Sequence, residues 1–162
     1  MYKRLNKINI KLIGLREFIR KYISQHEKVW YSLESILQIQ TYSQNDVLDL
    51  NNFIYFINSG HIKVTLDSNQ KLDFYNYKKN MMFFDYSFCF VSDYSKLVKK
   101  EKSKRTFYLT ENCELILIEY SKLKLLSDKH KELEKFEEIL LEFERNRIKK
   151  QIYKLLLEID SE

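Results

Sequence analysis

Apolar residues return every three or four positions at both ends of this chain and alternate with polar residues in its middle. Near the N-terminus, the apolar side chains of Leu15 to Ile23 share one helical face, and the pattern resumes between Val29 and Leu37. A polar break separates the two stretches. They predict two short amphipathic helices, which we place within residues 1–38.

The middle of the chain, residues 39–120, has the period of two that is typical of β-strands. The clearest signal runs from Phe53 to Leu66 and predicts a hairpin, in which Gly60 takes the positive φ of the turn. Many short strands at this spacing favour a sandwich or a barrel. Further strands are predicted at Lys71 to Tyr77, at Phe107 to Leu109 and at Cys113 to Glu119, the last two as arms around one turn.

The last part of the chain, residues 121–162, returns to a helical period. Ser121 predicts the cap of a short helix, and a longer helix follows from Lys131. The apolar residues of the longer helix step by three and four, which is the spacing of a coiled-coil seam. Because one small β-domain cannot easily cover so many helical turns, we predict that the helix joins two copies from Lys131 to about Tyr153. Packing on its own β-domain alone is the alternative. The predicted seam consists of Leu133, Phe136, Leu140, Phe143 and Arg147.

Composition narrows the kinds of binding site that the chain could contain. The chain has 162 residues, which favours one domain overall, and it contains two glycines and no proline. Loops that cradle phosphates with bare backbone usually rely on several closely spaced glycines, and the sequence contains neither a Walker loop nor a dinucleotide-binding fingerprint. The net charge of +5 is compatible with an anionic partner without identifying one.

Three observations favour a protein that works inside the cell. No apolar run approaches the roughly 20 residues of a membrane span, and the basic N-terminus is not followed by the apolar core of a signal peptide. Cys89 and Cys113 match no common zinc or redox spacing, and their apolar surroundings favour buried thiols over a disulfide. We therefore expect a cytoplasmic protein that does not engage the membrane.

The order of these elements resembles one family. Phe53 to Val64 looks like the most recognisable hairpin of the cyclic-nucleotide-binding domains of Crp/Fnr transcriptional regulators. Leu15 to Ile23 resembles the opening helix of the Bacteroidetes-type members, Phe83 to Phe88 resembles their pocket segment, and Cys113 to Ile118 resembles their last strand. The resemblance covers roughly residues 15–158. It implies an α+β fold, namely a cyclic-nucleotide-binding-like β-roll (a double-stranded β-helix or jelly roll) flanked by N-terminal helices and a long C-terminal dimerisation helix.

The resemblance also implies a role. Such a domain is a sensor without catalytic activity, which pairs with a second copy as a homodimer and responds to a small-molecule effector. In the family, DNA is bound by a C-terminal helix-turn-helix module, and the sequence given contains no stretch that resembles it. We expect movement in the segment that joins the pocket to the predicted seam, Ser121 to Glu132.

Cyclic nucleotides bind this family through a Gly-Glu-rich turn, a Glu for the ribose and an Arg followed by Ser or Thr for the phosphate. Here Arg105 and Thr106 stand where the Arg-Ser/Thr pair would, and Asp85 stands near the Glu position. These residues make cyclic AMP a candidate ligand. However, Phe83 and Phe84 occupy the positions where backbone must approach a phosphate, so the site looks degenerate. The candidate ligand-binding residues are Asp85, Tyr86, Ser87, Arg105 and Thr106.

Simpler interpretations of the same residues stay open. Arg105 ends the charged run that begins at Lys99, which by default is a solvated loop, and Asp85 equally begins a helix as its cap. An aromatic group either lines a pocket for a non-nucleotide ligand or fills the core. Its members are Phe74, Tyr75, Tyr77, Phe83, Phe84, Tyr86, Phe88 and Phe90.

Two other function classes compete with a sensor. A cupin-like enzyme or metal-binding barrel needs clustered histidines, but His26, His61 and His130 lie far apart along the chain. A small nucleic-acid-binding protein would use the basic segments Lys99 to Arg105 and Arg145 to Lys150, whose phosphate contacts would be weak and salt-dependent. We expect neither.

Overall fold

The computed structural model, which describes residues 9–23, 26–48, 50, 52–66, 73–84 and 105–161, contains two antiparallel sheets, and residues of all four of its helices pack in one apolar cluster with the four-stranded sheet. The helices are α1 (Ile13–Tyr22), α2 (His26–Glu34), α3 (Tyr120–Lys129) and α4 (Lys131–Asp160), and a 3-10 turn at Ile10–Leu12 precedes α1. The strands are β1 (Leu37–Tyr42), β2 (Phe53–Ser59), β3 (Ile62–Leu66), β4 (Asp73–Tyr77), β5 (Met82–Phe83), β6 (Arg105–Leu109) and β7 (Cys113–Glu119). The predicted α+β class is confirmed.

The four-stranded sheet has the order β1-β7-β2-β5 and the three-stranded sheet the order β4-β3-β6. Along β2, Ile54 and Phe56 belong to an apolar cluster shared with the helices, whereas Tyr55 and Ile57 belong to a second cluster shared with the other sheet. The four-stranded sheet is therefore covered on both faces at β2. This explains why β2 reads as a continuous apolar run instead of alternating with polar residues.

Gly60 lies at a corner between the sheets. Its φ is 108°, the positive value that the sequence predicts. However, β2 pairs with β5 and β7, whereas β3 pairs with β4 and β6. The predicted hairpin is wrong, and the same holds for β6 and β7, which also lie in different sheets. A turn signal fixes where the chain bends but not which strand becomes the neighbour.

The helices agree with the predicted ones except at one cap. α1 buries Leu15 and Ile19, as the apolar face of Leu15 to Ile23 predicts. Ser121 does not cap α3, because that helix begins at Tyr120 and its N-cap residue is Glu119. The Ser121 hydroxyl instead donates a hydrogen bond to the Glu119 carboxylate at 3.0 Å.

The first half of α4 packs against its own chain. Leu133 and Phe136 are 0% exposed and Leu140 is 2% exposed, all within the cluster that includes the N-terminal helices. The ring of Phe143 packs on Tyr22 of α1 with a centroid distance of 5.0 Å. The sequence assigned these residues to a dimer seam; within one copy the side chains of Leu133, Phe136 and Leu140 are already covered, and the seam itself stays a prediction. The periodicity indicates a buried face but not the identity of what covers it.

Two further features concern membrane crossing and the cysteines. Among the described residues, no helix combines the length and the apolar character that a membrane crossing requires. Cys113 is a buried free thiol beneath the corner at His61, and burial raises its pKa. Cys89 lies outside the described residues.

Candidate functional site

A buried polar cluster joins β4 and β5 to the long helix α4. It consists of Tyr77, Glu144, Arg147 and the carbonyl of Met82. Tyr77 is the last residue of β4 and is 2% exposed, and Glu144 is 3% exposed although it carries a carboxylate. We call this group the roll–helix cluster.

Hydrogen bonds hold the roll–helix cluster together. The Tyr77 hydroxyl donates to the Glu144 carboxylate, with distances of 3.1 Å to Oε1 and 3.2 Å to Oε2. Arg147 Nη1 donates to Glu144 Oε1 at 2.5 Å and to the Met82 carbonyl at 3.0 Å. The Arg147 guanidinium also lies over the Tyr77 ring, 5.0 Å from its centroid. One buried carboxylate is thus bonded by a strand residue and by a helix residue, which ties the two elements to one geometry.

The Tyr77 ring belongs to an aromatic stack inside the β-structure. Its centroid lies 5.1 Å from that of Phe83, and Phe83 stacks on Tyr55 at 5.2 Å and on Phe107 at 5.8 Å. Phe83 and Tyr55 are 0% exposed. These members of the aromatic group therefore fill the core, as does Phe84 at 6% exposure. The space between the sheets holds close-packed rings.

The roll–helix cluster adjoins the predicted pocket segment. The Met82 carbonyl that Arg147 binds lies three positions before Asp85, and β5 is fixed to β2 by the pairs Tyr55 with Phe83 and Phe56 with Met82. Three of the predicted ligand residues, namely Asp85, Tyr86 and Ser87, lie outside the described residues, as do Phe88, Phe90 and the basic run of residues 99–104.

Arg105 and Thr106 are the first two residues of β6, which follows the predicted pocket segment in sequence. Arg105 pairs with Leu66 of β3, and Thr106 pairs with Thr65. Thr65 is 2% exposed, and its Oγ1 has no hydrogen-bond partner among the described residues. A buried hydroxyl without a partner costs roughly 1–3 kcal/mol, which a polar group added at this end of β6 would offset. The backbone thus places Arg105 and Thr106 beside an unsatisfied hydroxyl.

The histidines remain apart. His61 Nδ1 lies 2.8 Å from the hydroxyl of Thr110 at a corner of the sheets, and His130 lies between α3 and α4. Within the described parts of the chain, no three His, Cys, Asp or Glu side chains come together to hold a metal ion. The cupin-like alternative gains no support from these residues.

Sequence reasoning missed Glu144 and did not foresee the partners of Arg147 within the chain. Glu144 follows Leu140 by four positions on the buried face of α4, so an acidic residue continuing an apolar stripe was the available signal. Arg147 was predicted in the dimer seam, but its guanidinium binds Glu144 and Met82 of the same chain. The side chain of Arg147 is 17% exposed and that of Glu144 is 4% exposed.

The corner between α3 and α4 contains a second buried polar contact. Ser127 of α3 is 5% exposed, and its hydroxyl lies 2.9 Å from the Lys124 carbonyl and 3.3 Å from Glu137 Oε1 of α4. Burial raises the pKa of Glu137 from 4.5 to about 7, while Ser127 and Lys124 lower it and Glu134 and Asp128 raise it.

This corner makes stability depend on pH. The folded-state pKa of Glu137 lies above its unfolded value of 4.5. The contribution of Glu137 to the free energy of unfolding is therefore fully present below pH 4.5, where the carboxyl is protonated, and is lost as the pH rises through about 7. Glu137→Gln should raise the free energy of unfolding by about 1 kcal/mol at pH 8, allowing for solvent screening of a half-exposed group. At pH 5 it should change little. Urea unfolding at both pH values checks this, and an equal effect at both would contradict it.

Solved structures share this architecture, although no family model and no curated protein matches the sequence. A cyclic nucleotide-binding domain from Methylobacillus flagellatus KT gives a TM-score of 0.67 at 14% identity, covering 90% of this chain and 82% of that one. PKAR CBD2 with bound Sp-2Cl-cAMPS gives 0.59 at 15% identity, covering 91% and 87%. A protein assigned to the Crp/Fnr family of transcriptional regulators, from Eubacterium rectale ATCC 33656, gives 0.58 at 12% identity, covering 80% and 63%.

These likenesses concern the fold, because the identities are low. Each of them covers at least 80% of this chain. The chain therefore has the fold of cyclic nucleotide-binding domains, a fold that it shares with a Crp/Fnr-family regulator.

Proposed function

We propose that this chain is the non-catalytic sensor domain of a Crp/Fnr-like transcriptional regulator that acts in the cytoplasm. The observation that carries the proposal is the roll–helix cluster. Arg147 binds the Met82 carbonyl directly before the pocket segment, and Glu144 binds Tyr77 from the same turn of α4. An effector that repositions β5 would therefore change the hydrogen bonds of α4, which is how a bound ligand can favour one helix arrangement over another.

Self-association belongs to the same proposal. The first half of α4 is covered by its own chain, but the second half exposes large apolar side chains. Tyr153 is 70% exposed, and Leu156, Leu157 and Ile159 are 52%, 68% and 68% exposed. Apolar residues clustered on one exposed helical stretch are a common basis for pairing with a second copy. DNA contact would belong to a separate helix-turn-helix module.

The cyclic nucleotide site is proposed to be degenerate. The rings of Tyr55, Tyr77 and Phe83 stack between the sheets, and by the family resemblance Phe83 and Phe84 stand where backbone would have to approach a phosphate. Arg105 and Thr106 lie at the start of β6, where they pair with Leu66 and with Thr65, whose hydroxyl has no hydrogen-bond partner among the described residues. This favours a small effector other than a cyclic nucleotide.

Calorimetry with cyclic AMP and cyclic GMP tests the proposed ligand preference. We expect no heat of binding at millimolar concentrations of either nucleotide, because among the described residues stacked aromatic rings fill the space between the sheets and Phe83 and Phe84 replace the residues whose backbone would approach a phosphate. The matched control is Arg105→Ala, which should give the same flat titration. Micromolar affinity that Arg105→Ala abolishes would show a working cyclic nucleotide site and overturn this part of the proposal.

A further inference from the structure

A groove of about 750 Å³ lies between α1 and the turn that precedes β5. Gly14, Phe18 and Tyr22 line it at intervals of four residues, so the groove follows α1 for about 12 Å. Gly14 lets the two elements approach closely, since a Cβ there would lie 3.0 Å from Asn80 Oδ1 on the opposite wall. Phe18 and Tyr22 are half-buried. The groove therefore has an aromatic floor that its own chain covers only in part.

The floor of the groove is held in place by neighbouring rings. Phe18 packs edge-on against Phe56 of β2, with 5.9 Å between the ring centroids, and Phe56 is 0% exposed. Tyr22 packs against Phe143 of α4, with 5.0 Å between the centroids. Side chains that are already packed lose little freedom when a ligand covers them, which lowers the entropic cost of binding. The floor is thus preorganised for an apolar group.

The wall formed by α1 is basic. Arg20 and Lys21 line the groove, and the Lys21 ammonium lies 5.2 Å from the centroid of the Tyr22 ring. Among the described residues that line the groove, only Glu17 is acidic. It lies 3.7 Å from Arg20, but both side chains are 63% exposed, so that pair is well hydrated and weak.

The opposite wall adds two more cations. Lys78 and Lys79 precede Asn80 in a tight turn, in which the Met81 amide donates to the Lys78 carbonyl at 3.1 Å. Asn80 has a φ of 66°, a conformation that asparagine accepts more readily than most residues. All three residues from Lys78 to Asn80 are exposed. We call Arg20, Lys21, Lys78 and Lys79 the basic rim.

The charge and the shape of the groove together indicate its occupant. Cations on both walls favour a partner that carries carboxylates, and the aromatic floor favours an apolar side chain. The groove is open to solvent along one side, so it would not enclose a small molecule, whose pocket usually buries most of its surface. An extended peptide crosses about 12 Å in about four residues and can continue past both ends of the groove.

We propose that this groove docks an acidic peptide segment of a partner protein, with an apolar side chain seated on the rings of Phe18 and Tyr22 and with carboxylates beside the basic rim. The inference goes beyond the proposed function, because it adds a protein partner on a surface that neither an effector nor DNA would use. It does not require self-association.

Selection of random peptides of about twelve residues from a phage-displayed library, with the full chain as the target, tests the docking. We expect the enriched peptides to combine several Asp or Glu residues with an aromatic or aliphatic residue. Fluorescence anisotropy then gives the Kd of the strongest peptide. Arg20→Glu with Lys21→Glu should weaken this binding by about tenfold. Asn80→Asp adds a carboxylate to the opposite wall at nearly unchanged shape, and should weaken it by about threefold.

Each of these variants has a matched control at exposed positions outside the groove. Lys28→Glu with Lys129→Glu gives the same change in net charge as the double reversal on α1. Asn76→Asp makes the same substitution as Asn80→Asp, but on β4. Both controls should leave the Kd of the selected peptide unchanged. Urea unfolding of all four variants checks that each one is folded.

Three results would overturn the docking. The first is a selection that enriches no peptide, and the second is a set of enriched peptides without acidic residues. The third is binding that weakens equally in the groove variants and in their controls, because the attraction would then follow the net charge of the chain. None of these results affects the proposed sensor function, which the nucleotide titrations test separately.

Discussion

Replacing Gly60 with alanine is expected to lower the free energy of unfolding by about 3 kcal/mol. Two effects add at this position. The φ of 108° lies where residues with a Cβ are strained, and the new Cβ would lie 2.9 Å from the Cα of Cys113, which is backbone and cannot move aside cheaply. Because Gly60 connects the two sheets, the strain falls on the corner that the whole sandwich requires. Urea unfolding measures the effect.

The second glycine of the chain is a matched control. At Gly14 the backbone is helical, and an added Cβ meets only side chains, namely Asn80 at 3.0 Å and the Phe56 ring at 3.5 Å. Alanine also favours the helix by about 1 kcal/mol, which offsets a small shift of Asn80. Gly14→Ala should therefore stay within about 1 kcal/mol of the wild type. Equal effects of the two substitutions would contradict the account of the corner.

Arg147→Met is expected to destabilise the protein by about 3 kcal/mol, because it leaves the Glu144 carboxylate buried without the guanidinium. The side chain of Glu144 is 4% exposed, so water cannot replace the lost partner. The Met82 carbonyl also loses the hydrogen bond that it accepts at 3.0 Å. Denaturant unfolding of the variant gives the size of the loss.

Two further variants make this result specific to the roll–helix cluster. Combining Arg147→Met with Glu144→Leu removes both charges, so the double variant should be about 1 kcal/mol more stable than Arg147→Met alone. Lys149→Met, at an exposed position of the same helix, should change the free energy of unfolding by less than about 0.5 kcal/mol. If Arg147→Met changed the free energy of unfolding as little as Lys149→Met, the roll–helix cluster would not stabilise the packing of α4 on the β-structure.

The two corners show how far local sequence determines this fold. The bend at Gly60 follows from local chemistry, since few residues other than glycine accept its φ. The partner of β2 does not follow from the bend. Its run of buried residues from Ile54 to Ile57 marks a strand with two covered faces, which indicates layers packed above and below it but not the strands that pair at its edges. Strand pairing depends on distant segments that a turn motif does not describe.

The long helix shows the same limit of local sequence for the candidate site. The spacing of Leu133, Phe136 and Leu140 correctly predicts a buried stripe. However, periodicity does not show whether the residues that pack on this stripe belong to the same chain or to another. Glu144 continues that stripe, and its partner Tyr77 lies 67 positions away in sequence. A contact of this range depends on the packed fold, so the sequence alone could indicate a buried acid but not its role as a link between β4 and α4.

Amide hydrogen exchange of Tyr77→Phe, compared with the wild type, tests most directly whether the β-structure and α4 are coupled through the roll–helix cluster. The substitution removes only the hydroxyl that binds Glu144, and Tyr108→Phe on β6, where the ring is 39% exposed, is its matched control. We predict faster exchange in β5 and throughout α4 from Lys131 to Arg147 in Tyr77→Phe, with no change in Tyr108→Phe. Faster exchange confined to β4, with α4 protected as in the wild type, would contradict the coupling.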